Sequence, residues 1–126
     1  MTPFELIGLP YRLGATPEKH HAADCLSLSR AVLQFAGIET PVPRRDWYRR
    51  LRRGDYAVFQ EELERWGKQT DARRIGVVAL CESENGGLCL APYFEDGWLN
   101  FAASAVRWSP TGALPVVASY WPTSSS

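Results

Sequence analysis

Cys25 follows Asp24 at the head of an apolar stretch, in the run Ala-Asp-Cys-Leu-Ser-Leu-Ser-Arg. Asp is a favoured N-cap residue, so the cysteine falls in the first turn of a helix. Unpaired backbone N–H groups and the helix dipole at that end favour a thiolate over a thiol. A nucleophilic cysteine needs this help, because at an ordinary pKa of about 8.5 only a few per cent is ionised at neutral pH. The competing reading is a small buried hydrophobe, a common role for an unpaired cysteine. Nucleophilic catalysis also calls for a base. The chain has only two imidazoles, His20 and His21, five and four residues before Cys25. A loop that folds back could present one of them to the sulfur; the alternative is that both are exposed loop residues.

The other cysteines, Cys81 and Cys89, bracket a turn containing Gly86-Gly87. As strand partners they could approach disulfide distance, but with no secretory signal they are expected as free thiols packed in a sheet. Their spacing to a histidine matches no zinc site, and no metal or other cofactor is expected. Gly86-Gly87 reads as a hairpin turn rather than a phosphate loop, since no helix follows.

Arg44, Arg45, Arg49, Arg50, Arg52 and Arg53 put six arginines in ten residues, with Trp47 and Tyr48 among them. Basic and aromatic residues interleaved in this way can bind phosphate backbones and bases. Arg and Trp are also enriched at protein interfaces. Six guanidinium groups cannot all find acceptors inside a small domain, and the neighbouring Asp46 and Asp55 are only two carboxylates. We therefore expect these arginines, with Trp47, to form a surface that docks another protein. Trp98, Trp108 and Trp121 on short strands could add to a binding face.

These residues must be positioned by a helical half and a strand half. Residues 3–18 contain Pro3, Gly8, Pro10, Gly14 and Pro17 and read as extended loop. A helix is expected from Asp24 to Gly37, with Cys25, Leu28, Val32, Phe35 and Ala36 on one face and Leu26 and Leu33 on another. Residues 39–54 read as a Pro- and Arg-rich connection. Asp55 then caps a second helix running to Trp66 and ended by Gly67. Tyr56, Phe59, Leu63 and Trp66 form its apolar stripe, and Glu61, Glu62, Glu64 and Arg65 lie mostly on its wet side. Apolar runs at Ile75–Cys81, Leu88–Phe94, Trp98–Phe101, Ala105–Trp108 and Val116–Trp121 read as antiparallel strands joined by hairpins. Helices first and strands last indicate α+β with a segregated sheet of about five strands.

Composition bounds the class. The chain has 126 residues, enough for one domain over residues 1–122, followed by a polar tail at 123–126. A domain of this size buries roughly two thirds of its unfolded surface and needs no disulfide or metal to hold it. Fourteen basic residues balance fourteen acidic ones, which argues against a nucleic-acid partner held by bulk charge. No apolar run reaches the ~20 residues of a membrane span, so no membrane partner is expected. Met1–Pro10 lacks the basic and apolar regions of a secretory signal.

The segment from Leu-Pro-Tyr-Arg-Leu-Gly at 9–14, through Ala-Asp-Cys-Leu-Ser-Leu, to Ala-Gly-Ile at 36–38 resembles the NlpC/P60 family of papain-like cell-wall cysteine peptidases, its phage-type members above all. Gly87–Phe101, ending Asp-Gly-Trp-Leu-Asn-Phe, is similar to that family's strand–turn–strand. Ala105–Trp108 and the closing Ser-Tyr-Trp-Pro fit its last strands, and residues 40–74 match weakly. The resemblance implies a papain-like fold with Cys25 as nucleophile and a histidine near Gly87, Leu88 or Cys89. It also implies a third polar residue near Asn100. Family members cleave amide bonds of peptidoglycan stem peptides. Here no histidine follows His21, and general acid–base assistance is worth ~10²–10⁴ in rate. Two readings stand. In one, the chain is a degenerate module that acts in assembly or cell-wall binding, with phage tail-tip or baseplate proteins as partners. Its location would then be the host cytoplasm and the virion tail. In the other, it is an active endopeptidase with an unusual base, for which His20 and His21 are the only substitutes.

Overall fold

The computed structural model describes residues 2–41, 44, 46–83 and 86–122. Arg45 and the tail at 123–126 lie outside the described residues. The chain is α+β, with its helices in the N-terminal half and antiparallel sheet after them.

After a short 3-10 turn at Pro3–Leu6 come α1 (Pro17–His20), α2 (Cys25–Phe35), α3 (Trp47–Arg52) and α4 (Ala57–Trp66). Helix α2 forms where its signals stand. Asp24 accepts the Ser27 N–H at 2.8 Å, and the Ser27 hydroxyl accepts the Asp24 N–H at 3.0 Å, a reciprocal capping box. At the other end Gly37 takes φ +78°, and the Ile38 N–H donates to the Leu33 carbonyl at 2.9 Å. That left-handed stop suits glycine because no Cβ meets the following carbonyl. Leu26 and Leu33 pack with Trp66, Leu80 and Tyr120, while Leu28 and Val32 pack with Leu6, Leu99 and Val106. The helix is thus wedged between two parts of the core. Phe35, expected on the buried face, is instead half exposed, since nothing closes over the last turn.

The strands are β1 (Gly67–Gln69), β2 (Val78–Glu82), β3 (Leu88–Pro92), β4 (Gly97–Ala102), β5 (Ala105–Pro110) and β6 (Val116–Pro122). They do not form one five-stranded sheet. Four make an antiparallel sheet in the order β1-β6-β2-β3, and β4-β5 stand apart as a hairpin. Side chains alternate across the larger sheet: Val78, Leu80 and Leu90 face α2 and α4, while Ala79, Cys81 and Ala91 face Trp98 and Tyr93. β3 is an edge strand, and it packs against α2.

Other expectations need correction. The stretch 3–18 contains the 3-10 turn and α1, and the connection 39–54 contains α3. The second helix begins at Ala57 with Tyr56 rather than Asp55 in the cap position; the Asp55 carboxylate is engaged by Arg50 and only weakly reaches the Ala57 N–H, at 3.3 Å. β1 is three polar residues pairing with the end of β6, a contact no local pattern announces. Glu62 is not on the wet side; it is buried, and Arg65 grips both its oxygens at 2.7 and 2.8 Å. Among the described residues no helix is long and apolar enough to cross a membrane.

Candidate functional site

Cys25 is the first residue of α2, pointed at the sheet by the Asp24 capping box and 6% exposed. The second oxygen of Asp24 accepts the Gly14 N–H at 2.8 Å, which ties the preceding loop to the helix start. With both oxygens engaged, Asp24 is structural, positioning the cysteine rather than acting on it. The Tyr48 hydroxyl on α3 is also drawn to this carboxylate, and burial and Asp24 together push its pKa up.

The sulfur lines a cavity of about 700 Å³. From the helical side the walls include Tyr11, Tyr56 and Phe59, and from the sheet Leu88, Leu90 and Asn100. The tight β4–β5 turn forms part of the rim. Its two residues, Ala103 and Ser104, take φ +53° and +65° without being glycine, a left-handed backbone that costs L-residues energy. The Tyr11 N–H holds the turn by donating to the Ser104 carbonyl at 2.8 Å.

The structure brings Cys25, Leu88, Cys89 and Asn100 to this one cavity. The three positions where the resemblance implies a histidine are not equivalent. A Cβ on Gly87 would meet the Tyr56 ring at 2.8 Å, too close for any larger side chain without displacing the ring. Cys89 pairs in register with Cys81, and it packs against both the cluster that holds Cys25 and the one that holds Cys81. Leu88 shares the face of Leu90 by strand alternation and lines the cavity with Cys25. Asn100 is nearly buried, and its Oδ1 accepts the Ser109 hydroxyl at 2.9 Å.

Neither histidine lines the cavity. His20 ends α1, exposed, with its Nδ1 accepting the Thr16 N–H at 3.0 Å. His21 is exposed and caps α1 in a left-handed conformation at φ +49°.

The helix N-terminus does not produce a thiolate here. Removal from water pushes the Cys25 pKa well above its ordinary value, and the Asp24 carboxylate and Cys89 push in the same direction. The Leu90 and Cys25 backbone amides oppose this without offsetting it, and no imidazole is among the groups acting on the sulfur. Burial likewise raises Cys81, to about 12, and Cys89. All three cysteines are free thiols. Among the described residues no group of His, Cys, Asp or Glu is arranged to hold a metal.

The arginine-rich segment is divided rather than collected on one surface. Trp47, expected in a docking surface, is 1% exposed and packs edge-on against Phe59 and Tyr48. Arg50 donates to both oxygens of Glu61 at 2.7 Å and to Asp55 at 2.8 Å. Arg44 adds a longer contact to Glu61 at 3.4 Å. Arg49, Arg52 and Arg53 are exposed. Glu61, on α4, is the acceptor that a search of the immediate neighbours misses. Of the tryptophans proposed for a binding face, Trp98 is fully buried with Arg73 over its ring, and Trp121 is half-buried under Arg74. Trp108 alone of the three is exposed, and its Nε1 donates to the Phe94 carbonyl at 2.9 Å.

Set against models of known protein families and against curated protein sequences, the chain finds no match.

Proposed function

We propose that the chain is a catalytically degenerate NlpC/P60-like module that holds a ligand or partner at the Cys25 cavity without cleaving it. One observation carries this reading: Cys25 is 6% exposed, its pKa is pushed well above the ordinary value, and no imidazole is among the described residues that line its cavity. The arrangement otherwise supports a papain-like reading. A cysteine at the start of a helix meets the edge of an antiparallel sheet, and Asn100 follows on the next strand.

The chemistry follows from these groups. Attack on an amide carbonyl needs a thiolate and then a proton for the leaving amine. Cys25 is held neutral, and Leu88 can neither take its proton nor return one. Asn100, even if it still holds the orienting position, has no imidazole to orient. What remains is a cavity of mixed polar and apolar lining that can bind. By its resemblance to phage-type members, such a module would serve at a tail tip or baseplate, bridging to other tail proteins or to the cell wall.

The test is incubation of the purified protein with peptidoglycan and with isolated stem peptides at neutral pH, followed by mass spectrometry. No released fragments are expected. The Leu88→His variant should remain far below a complete peptidase, because the groups that would orient the new imidazole are absent too. Turnover by the wild-type protein that disappears in Cys25→Ala would overturn the proposal in favour of an active endopeptidase.

A further inference from the structure

The lining of the Cys25 cavity states what charge it will accept. Among the described residues that line it, Glu82 is the only one with a formal charge, and no Lys or Arg is present. Glu82 ends β2 exposed to solvent and pairs in register with Leu88. Glu82 and Leu88 therefore stand side by side in the lining of the cavity. The remainder of the lining is aliphatic, aromatic, thiol or neutral polar. An occupant bearing a carboxylate would leave water, meet a like charge and find no cation, which is a costly burial. A basic group would find its partner at Glu82.

A second observation concerns Asn100. This side chain is 8% exposed and lines the cavity, and Ser109 occupies its Oδ1. Among the described residues its Nδ2 has no hydrogen-bond partner, so an N–H donor remains in the wall. An amide donor in a cavity wall pairs with a carbonyl oxygen of an occupant. The volume, about 700 Å³, suits a ligand of a few residues, since small-ligand sites span roughly 300–1,000 Å³.

We propose that the cavity takes a short apolar polypeptide segment carrying one basic side chain, its cation on Glu82 and one backbone carbonyl on the Asn100 amide. The inference rests on the reading of the site as one that binds without cleaving. It adds a charge preference that the resemblance does not supply.

The test uses three fluorescent, N-acetylated and C-amidated hexapeptides of Leu and Ala, identical except for one Lys, Gln or Glu. They are titrated by polarisation at about 150 mM salt, where surface charges are partly screened. The Lys peptide is expected to bind about five- to tenfold more tightly than the Glu peptide, with Gln between, a range consistent with one exposed carboxylate. Glu82→Gln, an exposed substitution, should bring the three affinities together. Asn100→Leu should weaken all three alike; if that variant fails to fold, Ser109→Ala, which frees Oδ1 without removing the donor, should leave the Lys preference intact. Equal or tighter binding of the Glu peptide, a preference that survives Glu82→Gln, or no binding by any peptide would overturn the proposal. Mass spectrometry on the same mixtures separates the two claims. Cleavage of a peptide would refute the non-cleaving reading while leaving the charge preference standing.

Discussion

The Cys25 cavity is assembled from segments scattered between Tyr11 and Pro115, whereas the arginine-rich stretch 44–53 finds its partners close by, at Asp55 between α3 and α4 and at Glu61 on α4. Both concentrate side chains that do chemistry elsewhere. In the cavity, distant segments converge and change the cysteine's chemistry: burial turns a position that favours a thiolate into one that holds a thiol. In the arginine stretch, local carboxylates absorb the most structured guanidinium, Arg50, the core takes Trp47, and Arg49, Arg52 and Arg53 stay in water. The difference teaches that a charge cluster is resolved by what lies a turn or two away. A reactive group is resolved by whatever the fold brings against it.

The largest expected effect is on Trp47. Trp47→Ala should destabilise the protein by about 3–5 kcal/mol in urea denaturation, the cost of emptying a core aromatic site. A loss below about 0.5 kcal/mol, as at a free surface, would return Trp47 to the docking surface and erase half of the comparison. Next comes Asp24→Ala, which removes the α2 cap and the tie to Gly14 together. A loss of about 2 kcal/mol, the upper end for an N-cap, is expected from denaturation midpoints. An unchanged midpoint would mean that Asp24 does not position Cys25.

The thiols sharpen the cavity side of the comparison through pH. Burial raises the folded pKa of Cys25, Cys81 and Cys89. Their contribution to stability is therefore intact below the unfolded value of about 8.5 and is lost as pH rises above it. For Cys81 the loss continues until pH approaches its folded value of about 12. Denaturation midpoints should fall between neutral and strongly alkaline pH, and fall less in Cys81→Ala. At neutral pH, iodoacetamide should modify native Cys25 far more slowly than a free thiol. Rapid modification would indicate an activated cysteine. The smallest effect belongs to the exposed arginines: the Arg49→Ser, Arg52→Ser, Arg53→Ser triple variant should unfold within about 0.5 kcal/mol of wild type. A larger loss would show that these side chains, like Arg50, serve the fold.

Much of the fold was legible in the sequence wherever one segment contains its own instructions. The α2 boundaries follow from Asp24 with Ser27 three residues on and from Gly37 at the far end, all within reach of the backbone groups they satisfy. The five apolar runs read as strands became β2 to β6, with ends shifted by a few residues at most. What escaped lacked a local signal. β1 is polar and exists only because β6 runs beside it, and Glu62 is buried because Arg65 accompanies it inward. The split into a four-stranded sheet and a separate hairpin depends on which strand edges meet, which hydropathy along the chain does not encode.

For the site, the sequence by itself determined that Cys25 starts a helix behind an Asp cap and that no histidine follows His21. Those are facts of residue order and short-range hydrogen bonding, and they hold in any fold that keeps the helix. Only the tertiary structure decided that Leu88 and Cys89 join Cys25 in one cavity while Gly87 lies against Tyr56, and that Trp47 belongs to the core. It also left the wall of the cavity with one carboxylate and one free amide. The reason is physical: a cap answers to N–H groups three or four residues away, whereas a thiol's proton affinity answers to the dielectric and charges around it. Here they come from Asp24 next to it and also from Cys89 and Leu90 on a strand more than sixty residues further along the chain.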